Sequence, residues 1–458
     1  MKRLLENVPA IRRSRALARH DQWSPEQLRA QQHQRLAEIV EYARNRSGFY
    51  QRLYAGIDEI DLQQLPVIDK ATVMDHFDEL VCDPRLTLQT LEEHLDGLER
   101  DDLYLDEYRV LATGGTTGRK GVFVYDRAEW RELVAGFYRM SDYVGLRPRL
   151  PRRVPITAVG ASRPAHVSYR LSASADTGIF RVQRLSATSP LDEIVVALNA
   201  HRPEFLYAYS SMASLLAFEQ LEGRLDIAPR IVVTSGETPT GDLAGAIREA
   251  WAGAWFELYG TTETGIFGVH CSEHTGLHLF EDEFIVEVVD ENHRPVPAGQ
   301  TGDHILLTSL VNRTQPLIRY VISDLVTIRP ELCPCGRPFR VVAGIEGRND
   351  DILRLVGPHG NEIVVHPLVL RSPMAAVPGL REYRILHDDR GLHVRVALRP
   401  GFKVDDATAA IRRGLDDAIT ALGAAAPEVS VEVVERIEDG RDSAGKFRLI
   451  ESRVGSIQ

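Results

Sequence analysis

Apolar residues along this chain change period several times, and the changes mark its elements. Leu28, Leu36, Ile39, Val40 and Ala43 follow a mostly helical spacing, preceded by Ser24 as N-cap, Pro25 at the first helical position and Gln27 completing a capping box. That pattern predicts a long helix over residues 25–46. "LPVIDKATVMDHF" (65–77) reads as a loop entering another helix, with Asp69 as its cap. From about 110 to 345, short apolar runs alternate with helical stretches: "VPITAVG" (154–160), "FLYAY" (205–209), "RIVVTSG" (230–236) and "WFELYG" (255–260) against "LDEIVVALNAH" (191–201) and "SMASLLAFEQL" (211–221). Such alternation predicts an α/β arrangement with substantial parallel sheet. "FIVEVVD" (284–290) and "DHILLTSL" (303–310) read as a later antiparallel region. Composition shifts again near 347–351. Two strands (381–389 and 390–398), a helix (405–423) and another strand (428–437) follow, a small α+β domain of roughly 110 residues. The expected boundary divides 1–347 from 348–458.

Charge and cysteine content narrow the function classes. With 54 basic against 65 acidic residues the net charge is −11, which argues against nucleic acid or an anionic membrane as partner. The first twenty residues are dotted with basic side chains and hold no apolar core, so they do not read as a secretory signal. No run approaches 18 apolar residues, so no membrane span is expected. Four cysteines in 458 residues make no disulfide scaffold, and the chain reads as cytoplasmic.

Chemistry concentrates first in "TGGTTGRK" (113–120), which runs into the strand-like "GVFVY" (121–125). Its glycines let backbone N–H groups approach an anion, its threonines add hydroxyls, and Arg119 and Lys120 add positive charge, a set suited to a polyphosphate. It is not a P-loop, which needs a helix after G-x-x-x-x-G-K-[ST]. Downstream come "LYGTTE" (258–263), "TSGE" (234–237), "RYVISDL" (319–325), "GRNDDIL" (347–353) and "SAGKFR" (443–448).

Those six motifs together resemble the adenylate-forming superfamily of acyl-CoA synthetases. The N-terminal segment 17–54 and "CPCGR" (333–337) are similar to its phenylacetate-CoA ligase-like branch. The resemblance implies a large N-terminal adenylate-forming domain of mixed sheets and helices, with a small C-terminal domain on a hinge at Asp350. It assigns ATP phosphates to Thr113, Gly115, Thr116, Thr117, Gly118 and Lys120, and adenine to Tyr259 with Gly236 and Glu237 along its edge. It assigns the α-phosphate to Thr262, Mg²⁺ to Glu263, the ribose to Asp324, and a second ribose or phosphate contact to Arg348. Lys446 is the implied catalytic lysine. Three departures stand out: Gly114 where Ser is usual, no Pro before Lys120, and Ser323 where Gly is usual. Losing one hydroxyl at 114 weakens phosphate contact by roughly a kilocalorie.

"CSEHTGLH" (271–278) and "CPCGR" bring three of the four cysteines and two histidines into two clusters. Soft S/N donors with four-coordinate capacity favour Zn²⁺. The expected structural ligands are Cys271, His278, Cys333 and Cys335, with His274 the substitute; reduced thiols are the competing reading. Cys82 lies apart and is expected to be a small buried hydrophobe. His166 is placed as a gate beside the substrate carboxylate, and Phe137, Tyr138, Gly260, Gly265 and Ile266 as acid-pocket residues. The resulting expectation is an ATP- and Mg²⁺-dependent ligase for a small-molecule acid of aryl type, with CoA as co-substrate and a homodimer as a common state of the branch. An adenylating ligase using an amine or another nucleophile is the second reading, and a zinc-stabilised binding protein without catalysis the third. Retention of Glu263, Asp324, Arg348 and Lys446 argues against the third.

Overall fold

The computed structural model describes residues 2–113, 120–149, 151–237, 241–251, 253–348, 353–357, 361–365, 367–437, 440–441 and 446–454, with the backbone alone at 2–6, 175, 241–243, 348, 356 and 368. Local signals read in the sequence are realised where they were expected. The helix Pro25–Arg46 opens on a complete capping box between Ser24 and Gln27, and Asp69 caps the helix Lys70–Asp75 through the Thr72 N–H. Among the elements that escaped the sequence reading are two helices that the N-terminal half contributes. One is the helix Lys2–Leu17, which carries Pro9 inside it. The other is Arg127–Tyr143, whose capping box of Asp126 and Glu129 was there to be read.

Among the described residues the largest sheet has nine strands, in the spatial order Asp324–Ile328, Val341–Arg348, Leu277–Leu279, Gly265–His270, Trp255–Thr261, Ile231–Ser235, Phe205–Tyr209, Pro155–Gly160 and Arg181–Ser186. Strands from Trp255–Thr261 towards Arg181–Ser186 pair in parallel, and those on the other side pair antiparallel. The strand where the sense changes carries "LYGT". The parallel half is covered on one side by the helices Leu191–His201, Ser210–Leu221 and Gly241–Trp251, whose buried faces form a core of their own. Parallel sheets need both faces covered, which accounts for nearly every residue of Ser210–Leu221 being buried. The strands Phe284–Val289 and His304–Ser309 pair antiparallel, as expected.

Residues from Leu353 to Ile450 build a separate core, in which the helix Val404–Thr420 packs Ala407, Ile411, Leu415 and Ile419 against a four-stranded sheet. Its central strands, Leu380–Asp388 and Gly391–Leu398, form a hairpin. No helix among the described residues is long and apolar enough to cross a membrane.

Beneath the antiparallel half lies a buried ionic cluster. Arg139, 1% exposed, donates to Asp282 at 2.8 and 3.1 Å and to Asp21 at 3.1 Å. Asp21 also accepts from Arg337 at 2.9 Å and from the Tyr143 hydroxyl at 3.2 Å, while His20 Nδ1 meets Asp282 at 2.7 Å. The Arg139 guanidinium also lies 4.3 Å from the Phe280 ring centroid. A buried charge is tolerated when it is paired and hydrogen-bonded on several sides, as here.

Candidate active site and metal centre

The parallel strands Pro155–Gly160, Phe205–Tyr209 and Ile231–Ser235 end side by side, and ligands of open α/β sheets bind outside such carboxyl ends. A cavity of about 130 Å³ opens there and runs back over the sheet face. Its inner walls are Phe137, Met140, Ile156, Phe180, Val182 and Phe205; its mouth brings together His166, Ser168, Tyr209, Ser235, Gly236, Thr262 and Lys446. Ser168 Oγ lies 3.1 Å from the Tyr209 hydroxyl, and the Tyr207 hydroxyl lies 2.6 Å from Ser235 Oγ. Of these four hydroxyl residues, Ser235 lies in the "TSGE" motif, while Ser168, Tyr207 and Tyr209 carried no motif signal in the sequence. Alternation along strand 205–209 alone would have put Phe205, Tyr207 and Tyr209 on one face.

The expected residues divide as follows. Phe137, His166, Gly260, Gly265, Ile266, Thr262, Gly236 and Lys446 all line this cavity. Tyr138 does not. It sits about 100° around the helix from Phe137, where its hydroxyl donates to Asn7 Oδ1 at 3.3 Å. Gly265 needs its glycine: φ is +70° and a Cβ would come within 2.9 Å of Leu133. Gly236, at φ +83°, lies under Lys446, whose Cε would stand 3.1 Å from a Cβ there. The Lys446 ammonium lies 6.0 Å from the Tyr209 ring centroid.

Tyr259 is buried, tilted against Phe267 at 4.2 Å, and its hydroxyl donates to Asp324 Oδ2 at 2.5 Å. Asp324 in turn lies opposite Arg348 in the antiparallel ladder, so the two expected ribose positions are backbone partners. The Tyr320 hydroxyl reaches Glu263 at 3.3 Å, and the Tyr125 hydroxyl holds the Thr262 carbonyl at 2.7 Å. Thr113 uses its hydroxyl to close the neck of the glycine-rich loop, where it accepts the Gly121 N–H at 2.9 Å. Lys120 is exposed beside that neck. Gly115, Thr116, Thr117, Gly118 and Asp350 lie outside the described residues, as does the Arg348 side chain. Glu237 is engaged on both oxygens. Oε2 accepts the Ser211 N–H at 2.9 Å, and Oε1 accepts the Phe447 N–H next to Lys446. Burial pushes its carboxyl above the usual range despite those donors.

In the antiparallel half, the ligand atoms of Cys271, His278, Cys333 and Cys335 lie within 4.8 Å of one another. Cys271 Sγ is 3.6 Å from Cys333 Sγ, and Cys335 Sγ is 3.4 Å from His278 Nε2. Zinc bonds of about 2.3 Å to sulfur and about 2.0 Å to nitrogen give tetrahedral edges of about 3.5–3.8 Å, so the donor set fits that ion. Donors surround the sulfurs: the Glu273 N–H reaches Cys271 at 3.4 Å and the Thr275 hydroxyl reaches Cys333 at 3.1 Å. Burial pushes His278 down to about 4, holding the ring neutral. His274, the substitute ligand, is turned away: φ is +49° and its ring packs on Phe256 at 4.6 Å. Cys82 is half-buried, and its thiol is pushed up to about 12 by desolvation.

The nine-stranded mixed sheet with its second, smaller core is the fold of the adenylate-forming acyl-CoA ligases. Over 95% of this chain and 92% of the other, it matches a crystal structure of a 2-hydroxyisobutyryl-CoA ligase in the postadenylation state, with R3-HIB-AMP, at a TM-score of 0.72 and 21% identity. The same ligase in its thioesterification state, with 2-HIB-AMP and CoA, matches at a TM-score of 0.59 and 20% identity over the same shares. Within that class the chain's sequence relatives are phenylacetate-CoA ligases, among them that of Thermus thermophilus, 27% identical over 368 residues, 77% of this chain and 76% of the relative. No family model matches the chain.

Proposed function

We propose that this chain is an AMP-forming acid–CoA ligase for a monocarboxylic acid with an apolar, aryl-type body. The observation that carries this reading is the cavity mouth, where Lys446, Gly236 and Thr262 meet around one end of an apolar tunnel. Phe137, Met140, Ile156, Phe180, Val182 and Phe205 on the inner walls carry no charge of either sign, so a second charge on the body of the acid would find no partner there. The acid's carboxylate oxygen attacks the α-phosphorus of ATP, the bond to the β-phosphate oxygen breaks, and pyrophosphate leaves. Lys446 neutralises charge between the two anions, and Thr262 holds the α-phosphate. Mg²⁺ at Glu263 supplies further neutralisation of the phosphates. In the second step the thiol of CoA attacks the acyl carbon, loses its proton, and AMP departs with the bridging oxygen. Residues 348–458 turn on Asp350 between the steps and withdraw Lys446. Asp324 and Arg348 hold the ribose. Zinc at Cys271, His278, Cys333 and Cys335 is structural, since four protein ligands leave no open position.

The test is a panel of aryl and alkyl acids with ATP and Mg²⁺, products read by mass with and without CoA. A CoA thioester from an aryl acid is expected. Acyl-AMP that accumulates and ignores CoA would replace the thiol by another nucleophile, and no AMP with any acid would overturn the reading.

A further inference from the structure

Among the contacts that hold the C-terminal residues around Lys446 against the large domain, one set falls at the two ends of a single helix, Ser210–Leu221. At its start, the Ser210 hydroxyl donates to the Glu237 carbonyl at 2.5 Å and the Ser211 N–H to Glu237 Oε2 at 2.9 Å, fixing the carboxylate in place. The other oxygen then accepts the N–H of Phe447, the residue after Lys446. Arg441, whose guanidinium lies 5.5 Å from the Phe447 ring centroid, adds positive charge beside this carboxylate. At the other end, Glu219 receives Arg381 at 2.7 Å, and Arg399 lies 4.6 Å from the Phe218 ring centroid. Phe218 and Glu219 are each 1% exposed, so this end is covered by the C-terminal residues that reach it.

We infer that the helix Ser210–Leu221, with Glu237, is a docking platform that selects the half-reaction: it holds Lys446 at the cavity mouth and releases it as a unit. Glu237 is thereby a positioning residue acting through the Phe447 backbone. Arg381 and Arg399 position Lys446 from a distance, without touching nucleotide or acid. The geometry accounts for both properties the device needs. Two directional contacts, the Phe447 N–H to Glu237 and Arg381 to Glu219, set the angle of the Lys446 loop, and each has a replacement at hand in water or Arg224, so the docked state is exchangeable. This inference rests on the ligase reading above.

Three variants test it: Glu237→Ala, Arg381→Gln and Arg399→Ala. Adenylation is followed by ATP–pyrophosphate exchange, and thioester formation by supplying the synthetic acyl-AMP and CoA. Glu237→Ala and Arg381→Gln are each expected to slow exchange by about tenfold, the factor of one lost charge-assisted contact, and Arg399→Ala by about two- to fivefold, while thioester formation from acyl-AMP holds or rises. Hydrogen exchange of the full protein, without substrate, is expected to speed up over residues 446–452 and at the start of helix 210–221. Loss of both half-reactions together would mark a merely structural role and overturn the inference. So would exchange protection unchanged in all three variants. A wild-type protein that forms no acyl-AMP would sink the ligase reading instead, and the hydrogen-exchange comparison would still decide the platform.

Discussion

Two charged regions of this molecule are built to opposite ends. Beneath the antiparallel half of the sheet, Arg139 is surrounded by Asp21, Asp282, Phe280 and Phe339, and Arg337 links the cluster towards Cys335. Between the large and C-terminal cores, the contacts that hold Lys446 in place include the Arg381–Glu219 ion pair, Arg399 over Phe218 and the Phe447 N–H on Glu237. The first region satisfies each charge several times over, so opening it exposes buried charge and is costly. The second has replacements at hand, Arg224 for Glu219 and water for the Phe447 N–H, so exchanging its contacts costs little. Permanence and exchangeability are set by what replaces a lost partner, more than by the kinds of residue used.

Removing one of the four proposed zinc ligands should break the permanent side most severely. Cys333→Ala is expected to abolish metal content by elemental analysis and to destabilise by several kcal/mol, because binding energy at a structural site is folding energy. Chelation of the wild type should lower Tm in the same sense. Arg139→Met strands Asp282 and Asp21 and is expected to cost about 3–5 kcal/mol in denaturant melts. Activity per folded molecule should be kept. Lys446→Ala should do the reverse, cutting adenylation by about 10²–10³-fold with an unchanged melt. An equal loss of stability would erase the contrast between the regions.

A pH series sharpens it further. Burial, with Asp282 beside it, pushes Glu283 up to about 8 from 4.5. The folded chain therefore keeps a proton that the unfolded chain releases. This contribution favours folding most below 4.5 and is lost as pH rises towards about 8. Melts of Glu283→Gln should show a flatter stability profile than wild type across that window. The smallest effect is Arg399→Ala, expected to cost about 0.5–1 kcal/mol or less in stability, read by thermal melts.

Legibility in the sequence followed the range of the interaction. The cap of helix Pro25–Arg46, the parallel strands and the Cys/His quartet announce themselves within a few residues, and all were readable. The strand Arg181–Ser186 was not, because at the sheet's edge its residues are half-buried or exposed and leave no apolar alternation. Glu237 was legible as part of a motif, yet its partner stands 210 residues away, and a backbone N–H leaves no mark on composition. The hydroxyl groups at the cavity mouth come from three separate elements, so no window of sequence contains them together.

Glu219 has a consequence for the birth of the chain as well as its working. Its remote partner, Arg381, is 162 residues downstream, so at roughly 5–20 residues per second it emerges from the ribosome about 8–30 seconds later. Throughout that interval the helix end would carry a bare carboxylate over an apolar surface, were it not for Arg224. That arginine, five residues on, already grips Glu219 at 2.5 and 3.0 Å. The nascent helix can therefore settle before the rest of the protein exists.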